Sequence, residues 1–133
     1  QPISGETLTA FSRKLTAPEE RSSTDGELRT TLSIAPIVSQ AGPLAPPLNV
    51  RAYEGSVPGP TLRVRPGDRL VLNLGKVEAW PNVTNLHVHG PHVSPAGVGD
   101  NIYRRAGPGD TLEYVYDIPP DHYPGTFYYH PHF

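Results

Sequence analysis

"VPGPTLRVRPGDRLVLNL", residues 57 to 74, decides the fold class. It opens on a turn at Pro58-Gly59, passes through a short stretch with Leu62 and Val64 on one face, and turns again at Pro66-Gly67-Asp68. It then resumes with Leu70, Leu72 and Leu74 on one face. Alternation with period two, cut by Pro and Gly, marks short half-buried strands, because successive side chains of an extended chain point to opposite sides. The pattern spreads outward in both directions. Upstream, Leu28, Thr30, Leu32 and Ile34 share a face, and after "QAGPLAPP" the run Leu48, Val50, Ala52 repeats it. Downstream, "GPGDTLEYVYDI", residues 107 to 118, echoes the Pro-Gly-Asp-x-Leu unit with Leu112, Tyr114, Tyr116 and Ile118 in line. A common inter-strand turn explains that echo as well as an internal duplication does.

The composition agrees with strands. Among 133 residues there are 17 prolines and 13 glycines, too many breaks for long helices, while Val, Thr, Tyr and Leu fill the gaps. One domain is the expectation for this length, since a barrel of eight strand and helix units needs about 250 residues. Residues 1–27 are polar and aperiodic, with at most one helical turn in "KLTAPEERSSTDG", and read as a mobile lead-in arm. Residues 28–133 then form the domain, and the Gly-, Pro- and Ser-rich segment from Pro91 to Gly109 is a long loop of the kind that often carries function. About seven short strands at this spacing predict an all-β, two-sheet Greek-key sandwich.

Charge and cysteine content exclude several functions. Lys+Arg of 11 against Asp+Glu of 13 gives a net charge of -2, with no basic stripe for nucleic acid and no polybasic tract for an anionic membrane. No apolar run approaches the roughly 18 residues of a membrane span. The chain has no cysteine, so it offers neither a disulfide nor a thiolate ligand. It begins with Gln1, which fits a processed mature end or a trimmed chain equally, and a secreted or periplasmic location is the expectation. The sequon Asn82-Val83-Thr84 reads as an idle match.

Chemistry enters with "TNLHVHG", residues 84 to 90, and "GTFYYHPHF", residues 125 to 133. On a strand, residues i and i+2 lie on one face about 7 Å apart. His87 and His89 therefore look one way, with Leu86 and Val88 free to enter the core. His130 and His132 share a face with Tyr128, while Phe127 and Tyr129 take the other. Pro131 cannot donate to a neighbouring strand, a restriction suited to an edge or a strand end. If the two segments are neighbours, about 4.8 Å apart, the four imidazoles make one patch. A lone histidine is usually a satisfied or solvated side chain. Two His-x-His pairs without carboxylates between them instead suit a borderline transition metal, copper or zinc. A single four-histidine ion is conceivable, but histidines so spaced cannot both reach one ion at about 2 Å without distorting the strand, so each pair more naturally feeds two ions. Two or three ions need roughly six to nine protein ligands, which leaves about half the cage to come from elsewhere.

These two motifs, with "VPGPTLRVRPGDRLVLNL" and "PPDHYPGTFYYHPHF", resemble the first two copper-ligand motifs of the multicopper oxidases, the laccase-like enzymes of cupredoxin fold. The resemblance covers roughly residues 48 to 133. It implies a cupredoxin-like Greek-key β-sandwich, incomplete at its C-terminal end for want of a closing strand, and an exposed sheet edge there. It implies type 2 copper at His87, one type 3 copper shared by His89 and His130, and the other type 3 copper at His132. It also puts Asp100 in the loop where many members keep an acid that delivers protons to reduced oxygen. A plain turn-forming role for Asp100 weighs the same. His92 and His122 read as solvated or supporting rather than ligating. Tyr128 is a candidate support for an imidazole, and Tyr53, Tyr103 and Tyr123 read as packing or surface residues.

Departures from the family pattern are Val88, where tryptophan is usual between the first two histidines, and Phe127-Tyr128-Tyr129 in place of Trp-Tyr before the second pair. The other trinuclear ligands and the cysteine-containing blue copper site have no counterpart here. The implied activity is that of the parent oxidase, which couples one-electron oxidation of a small reducing substrate to reduction of dioxygen to water. Further C-terminal domains or another chain would complete the site. The alternative is a non-catalytic copper-binding module completed by oligomerisation. Cupins expect a glutamate soon after the first pair, where Val93 and Ser94 stand, and amidohydrolases need a longer, less β-rich chain.

Overall fold

The computed structural model describes residues 16–40, 45–77 and 83–133. Eight strands follow in order: β1 (Glu20–Ser22), β2 (Glu27–Ser39), β3 (Leu48–Tyr53), β4 (Thr61–Arg63), β5 (Arg69–Val77), β6 (His87–His89), β7 (Leu112–Asp117) and β8 (Tyr128–His130). No helix occurs among the described residues, and so none is long and apolar enough to cross a membrane. The fold is all-β, as the alternation predicts, and agrees with the cupredoxin-like sandwich that the resemblance implies.

A four-stranded sheet, ordered β3-β2-β5-β7, is the larger layer. β2 and β5 run parallel, and β3 and β7 flank them antiparallel. Its inner face carries Leu28, Leu32 and Ile34 of β2, Leu70, Leu72 and Leu74 of β5, and Tyr114 and Tyr116 of β7, all buried. Each fully buried leucine contributes about 2 kcal/mol relative to exposure. Val71 is buried as well, as expected of a strand with neighbours on both sides. The opposite layer is built from two small sheets, β1-β4 and β6-β8. Leu62, Val64, Leu86, Val88 and Tyr129 reach from it into the same core.

The two Pro-Gly-Asp turns close in the same way. Asp68 Oδ2 accepts the Arg65 N–H at 2.8 Å, and Asp110 Oδ2 accepts the Gly107 N–H at 2.8 Å. In each turn the aspartate N–H returns to the carbonyl of the residue its side chain holds. A shared side-chain turn therefore accounts for the sequence echo.

Three features depart from the sequence pattern. β2 continues through Pro36, which pairs with Arg51 of β3. Among the described residues β5 pairs with β2 only as far as Ile34, so none of them requires the missing Pro36 N–H on that side. Leu48, expected inward, is 55% exposed at the start of β3. The lead-in arm expected through residue 27 gives way, over Glu20–Ser22, to β1, parallel to β4. Residues 1–15 lie outside the described residues, as does Asn82 of the sequon. Apolar burial does not dock β1. Arg21 donates to Thr30 Oγ1 and the Thr31 carbonyl and pairs with Glu19 and Glu54, while Ser23 donates from its hydroxyl to Asp68.

Candidate metal centre

β6 and β8 lie antiparallel with His87 opposite His130, Val88 opposite Tyr129, and His89 opposite Tyr128. This register puts every imidazole of the pair on one face and both Val88 and Tyr129 on the other, where they pack on the core. Each strand is only three residues long, so side chains must hold what a short ladder cannot. On β6, the Leu86 N–H donates to the buried Tyr114 hydroxyl at 3.1 Å, and Leu86 itself is fully buried. On β8, the Tyr129 hydroxyl donates to the Pro60 carbonyl at 2.7 Å and its ring meets Tyr53 edge-on. Burial pushes the Tyr129 phenol up to about 12, so the group stays a donor across ordinary pH. Gly90 ends β6 at φ 103°, where a Cβ would come within 2.9 Å of the Phe127 ring, so only glycine lets the two motifs approach here.

Ring centroids of His87 and His89 are 5.4 Å apart, those of His87 and His130 5.2 Å, and those of His89 and His130 5.9 Å. One nitrogen from each of these three lies within 4.8 Å of the others. Donors bound to one ion at about 2 Å sit up to about 4 Å apart, so nitrogens spread over as much as 4.8 Å suit neighbouring ions that share the platform. His132 lies past the end of β8, its ring 5.8 Å from that of His87. The four histidines singled out from sequence are thus neighbours, with His132 at the rim. Tyr128 stacks on His89 at 4.7 Å, the support its place on the ligand face implied.

Hydrogen bonds fix which nitrogen is free. His130 Nδ1 lies 2.8 Å from the Pro131 carbonyl, which can only accept, so Nδ1 carries the proton and Nε2 is the free donor atom. His87 Nδ1 lies 2.7 Å from Asp100 Oδ2, and Asp100 Oδ1 accepts the Val88 N–H at 3.0 Å. A carboxylate backing an imidazole in this way fixes its tautomer and leaves Nε2 for a metal. The side chains of His87 and Asp100 are 21% and 12% exposed, enough cover to keep the bond from being solvent-screened. Asp100 is therefore more than a turn former: it sits directly behind His87. The donor set, neutral nitrogens with one carboxylate behind them, suits copper or zinc.

His92 and His122 form a separate contact. The His92 N–H donates to His122 Nε2 at 2.9 Å, and His122 Nδ1 donates to the Tyr123 carbonyl at 2.8 Å. Both nitrogens of His122 are used, which leaves none for a metal and makes the ring a clasp between the loops after β6 and before β8. Sequence reading missed Asn85. It is fully buried, accepts the His132 N–H at Oδ1 at 2.7 Å, and donates from Nδ2 to the Ile102 carbonyl at 2.7 Å. The available signal was its parity with His87 and His89.

A family model described as multicopper oxidase matches residues 39–133. The chain belongs to this family. Laccase-25 of Oryza sativa subsp. japonica is 33% identical over 91 residues, which are 65% of this chain and 15% of that protein. Among solved structures, a multicopper oxidase from Campylobacter jejuni, described as a metallo-oxidase, superposes with a TM-score of 0.71 at 26% identity. That match covers 94% of this chain and 26% of the other. The copper nitrite reductase of Nitrosomonas europaea shares the fold, with a TM-score of 0.64 at 23% identity over 79% of this chain and 34% of its own. This multicopper oxidase chain thus spans 15% of the curated relative and about a quarter of the Campylobacter enzyme.

Proposed function

We propose that this chain forms one wall of the trinuclear copper cluster of a multicopper oxidase. His87 would hold the type 2 ion, His89 and His130 one type 3 ion, and His132 the other. The parent protein would oxidise a small reducing substrate and reduce dioxygen to water. Donors completing the cage would come from parts of such a protein beyond these residues, or from another chain. The observation that carries this reading is the cluster of three imidazole nitrogens within 4.8 Å, with Nε2 of His87 and of His130 freed by Asp100 and the Pro131 carbonyl.

Bound copper would supply the one-electron chemistry, accepting electrons that originate in the substrate and passing them to oxygen. The residues of this chain would hold and orient it on one side. His87, His89 and His130 present ring nitrogens from the two-stranded platform, and His132 from just past its end. Asp100 would hold the His87 ring in one tautomer and orientation, and would place beside the site of oxygen reduction a carboxyl group able to take up a proton and pass it on. Tyr128 limits rotation of His89 by stacking.

The test is copper content, electron paramagnetic resonance and oxygen uptake of the intact protein, compared with its His87→Ala variant. The expected result is loss of the type 2 signal and of oxygen uptake in the variant, with blue copper absorption retained. An unchanged copper count and an unchanged type 2 signal would refute the assignment. Copper binding without oxygen uptake in the unaltered protein would favour the non-catalytic module.

A further inference from the structure

The ladder between β6 and β8 ends at His130, and Pro131 has no N–H with which to extend it. His132 nevertheless lies beside His87. Among the described residues, its backbone N–H is held by the Asn85 side chain, at 2.7 Å. Asn85 is 0% exposed and stands two residues before His87, just ahead of β6. Its amide has one orientation that serves both partners: the oxygen accepts from His132, and the nitrogen donates to Ile102, two residues beyond Asp100. A single buried side chain therefore ties three segments together: the approach to the first histidine pair, the loop that carries Asp100, and the end of the second pair.

We infer that Asn85 is the positioning residue for His132, setting the distance between the two histidine motifs before any ion binds. The inference rests on the copper reading above, because it requires His132 to be a ligand. A buried amide satisfied at both ends is rigid, and removing it leaves the His132 N–H and the Ile102 carbonyl without partners in a site that water cannot fully reach. Residues that orient metal ligands typically cost about 10- to 100-fold in metal affinity when lost.

The experiment is a double-variant cycle on the intact protein. Copper affinity is read by titration against a competing chelator, with near-ultraviolet circular dichroism confirming the fold. Asn85→Ala is expected to weaken the weakest-bound copper about 10-fold or more, and His132→Ala to do at least as much. In the His132→Ala background, Asn85→Ala should add nothing further, which is the signature of acting through that ligand. Asn85→Asp keeps an acceptor for the His132 N–H, so it should recover most of the affinity; it also serves where the alanine variant does not fold. Additive losses would overturn the inference, as would an aspartate variant no better than Asn85→Leu. If His132→Ala costs copper but Asn85→Ala does not, the inference fails while the copper reading stands. If His132→Ala leaves all copper bound, the copper reading of His132 fails, and the inference fails with it.

Discussion

The β5 strand and the β6-β8 pair are held by different forces. β5 is nine residues long, hydrogen-bonded on both sides, and carries leucines at the alternate positions 70, 72 and 74. β6 and β8 have three residues each and only each other as strand neighbours among the described residues. What fixes them is a set of side-chain bonds to backbone groups: Tyr114 to Leu86, Tyr129 to Pro60, Asp100 to Val88 and Asn85 to His132. The core sheet supplies stability, and individual polar anchors transmit it to the ligands. The two regions should therefore fail differently.

Leu72→Ala should have the largest effect on stability. Leu72 is fully buried at the centre of β5, and its truncation should cost about 2–5 kcal/mol in a denaturant titration. Tyr114→Phe keeps the ring and removes only the acceptor for the Leu86 N–H, so it should cost about 1–3 kcal/mol. If the comparison holds, the Tyr114 variant lowers copper affinity out of proportion to its stability loss, and the Leu72 variant does not. Equal ratios in the two variants would erase the distinction.

A third variant sharpens the comparison at the other end of the molecule. Ser23's hydroxyl, and after it the Arg65 N–H, hold the Asp68 carboxyl below its ordinary range. A depressed folded value means that the stabilisation is present above the unfolded value and lost as pH falls through the folded one, roughly below pH 4. Asp68→Asn should therefore lower Tm at neutral pH and flatten the acid limb of the Tm profile. A parallel profile would contradict this. The smallest effect is expected for Glu20→Gln, which breaks an exposed pair with Arg63 across β1 and β4. Its Tm change should be slight and should vanish in high salt.

The same contrast governs what the sequence reveals. β5 and β7 were legible because burial on one face imposes period two, and Leu70, Leu72, Leu74, Tyr114 and Tyr116 obey it. The histidine pairs were legible because alternation alone puts His87 with His89 and His130 with Tyr128. β1 was not, since Glu20–Ser22 docks through backbone pairing and Arg21's hydrogen bonds rather than through apolar side chains. Asn85 was legible only in its parity with His87, and its role was not: its partners, Ile102 and His132, are distant in sequence and contribute only backbone groups. Leu48 follows the alternation yet stays exposed, because the start of β3 pairs with the outer end of β2, past its last described pairing with β5 at Ile34.

The account stands or falls on where copper binds. An anomalous difference map at the copper edge, from crystals of the copper-loaded intact protein, tests this most directly. The account predicts peaks about 2 Å from Nε2 of His87 and of His130, with His89 and His132 completing contacts from this chain. Copper peaks lying elsewhere, with these four imidazoles uncoordinated, would contradict it.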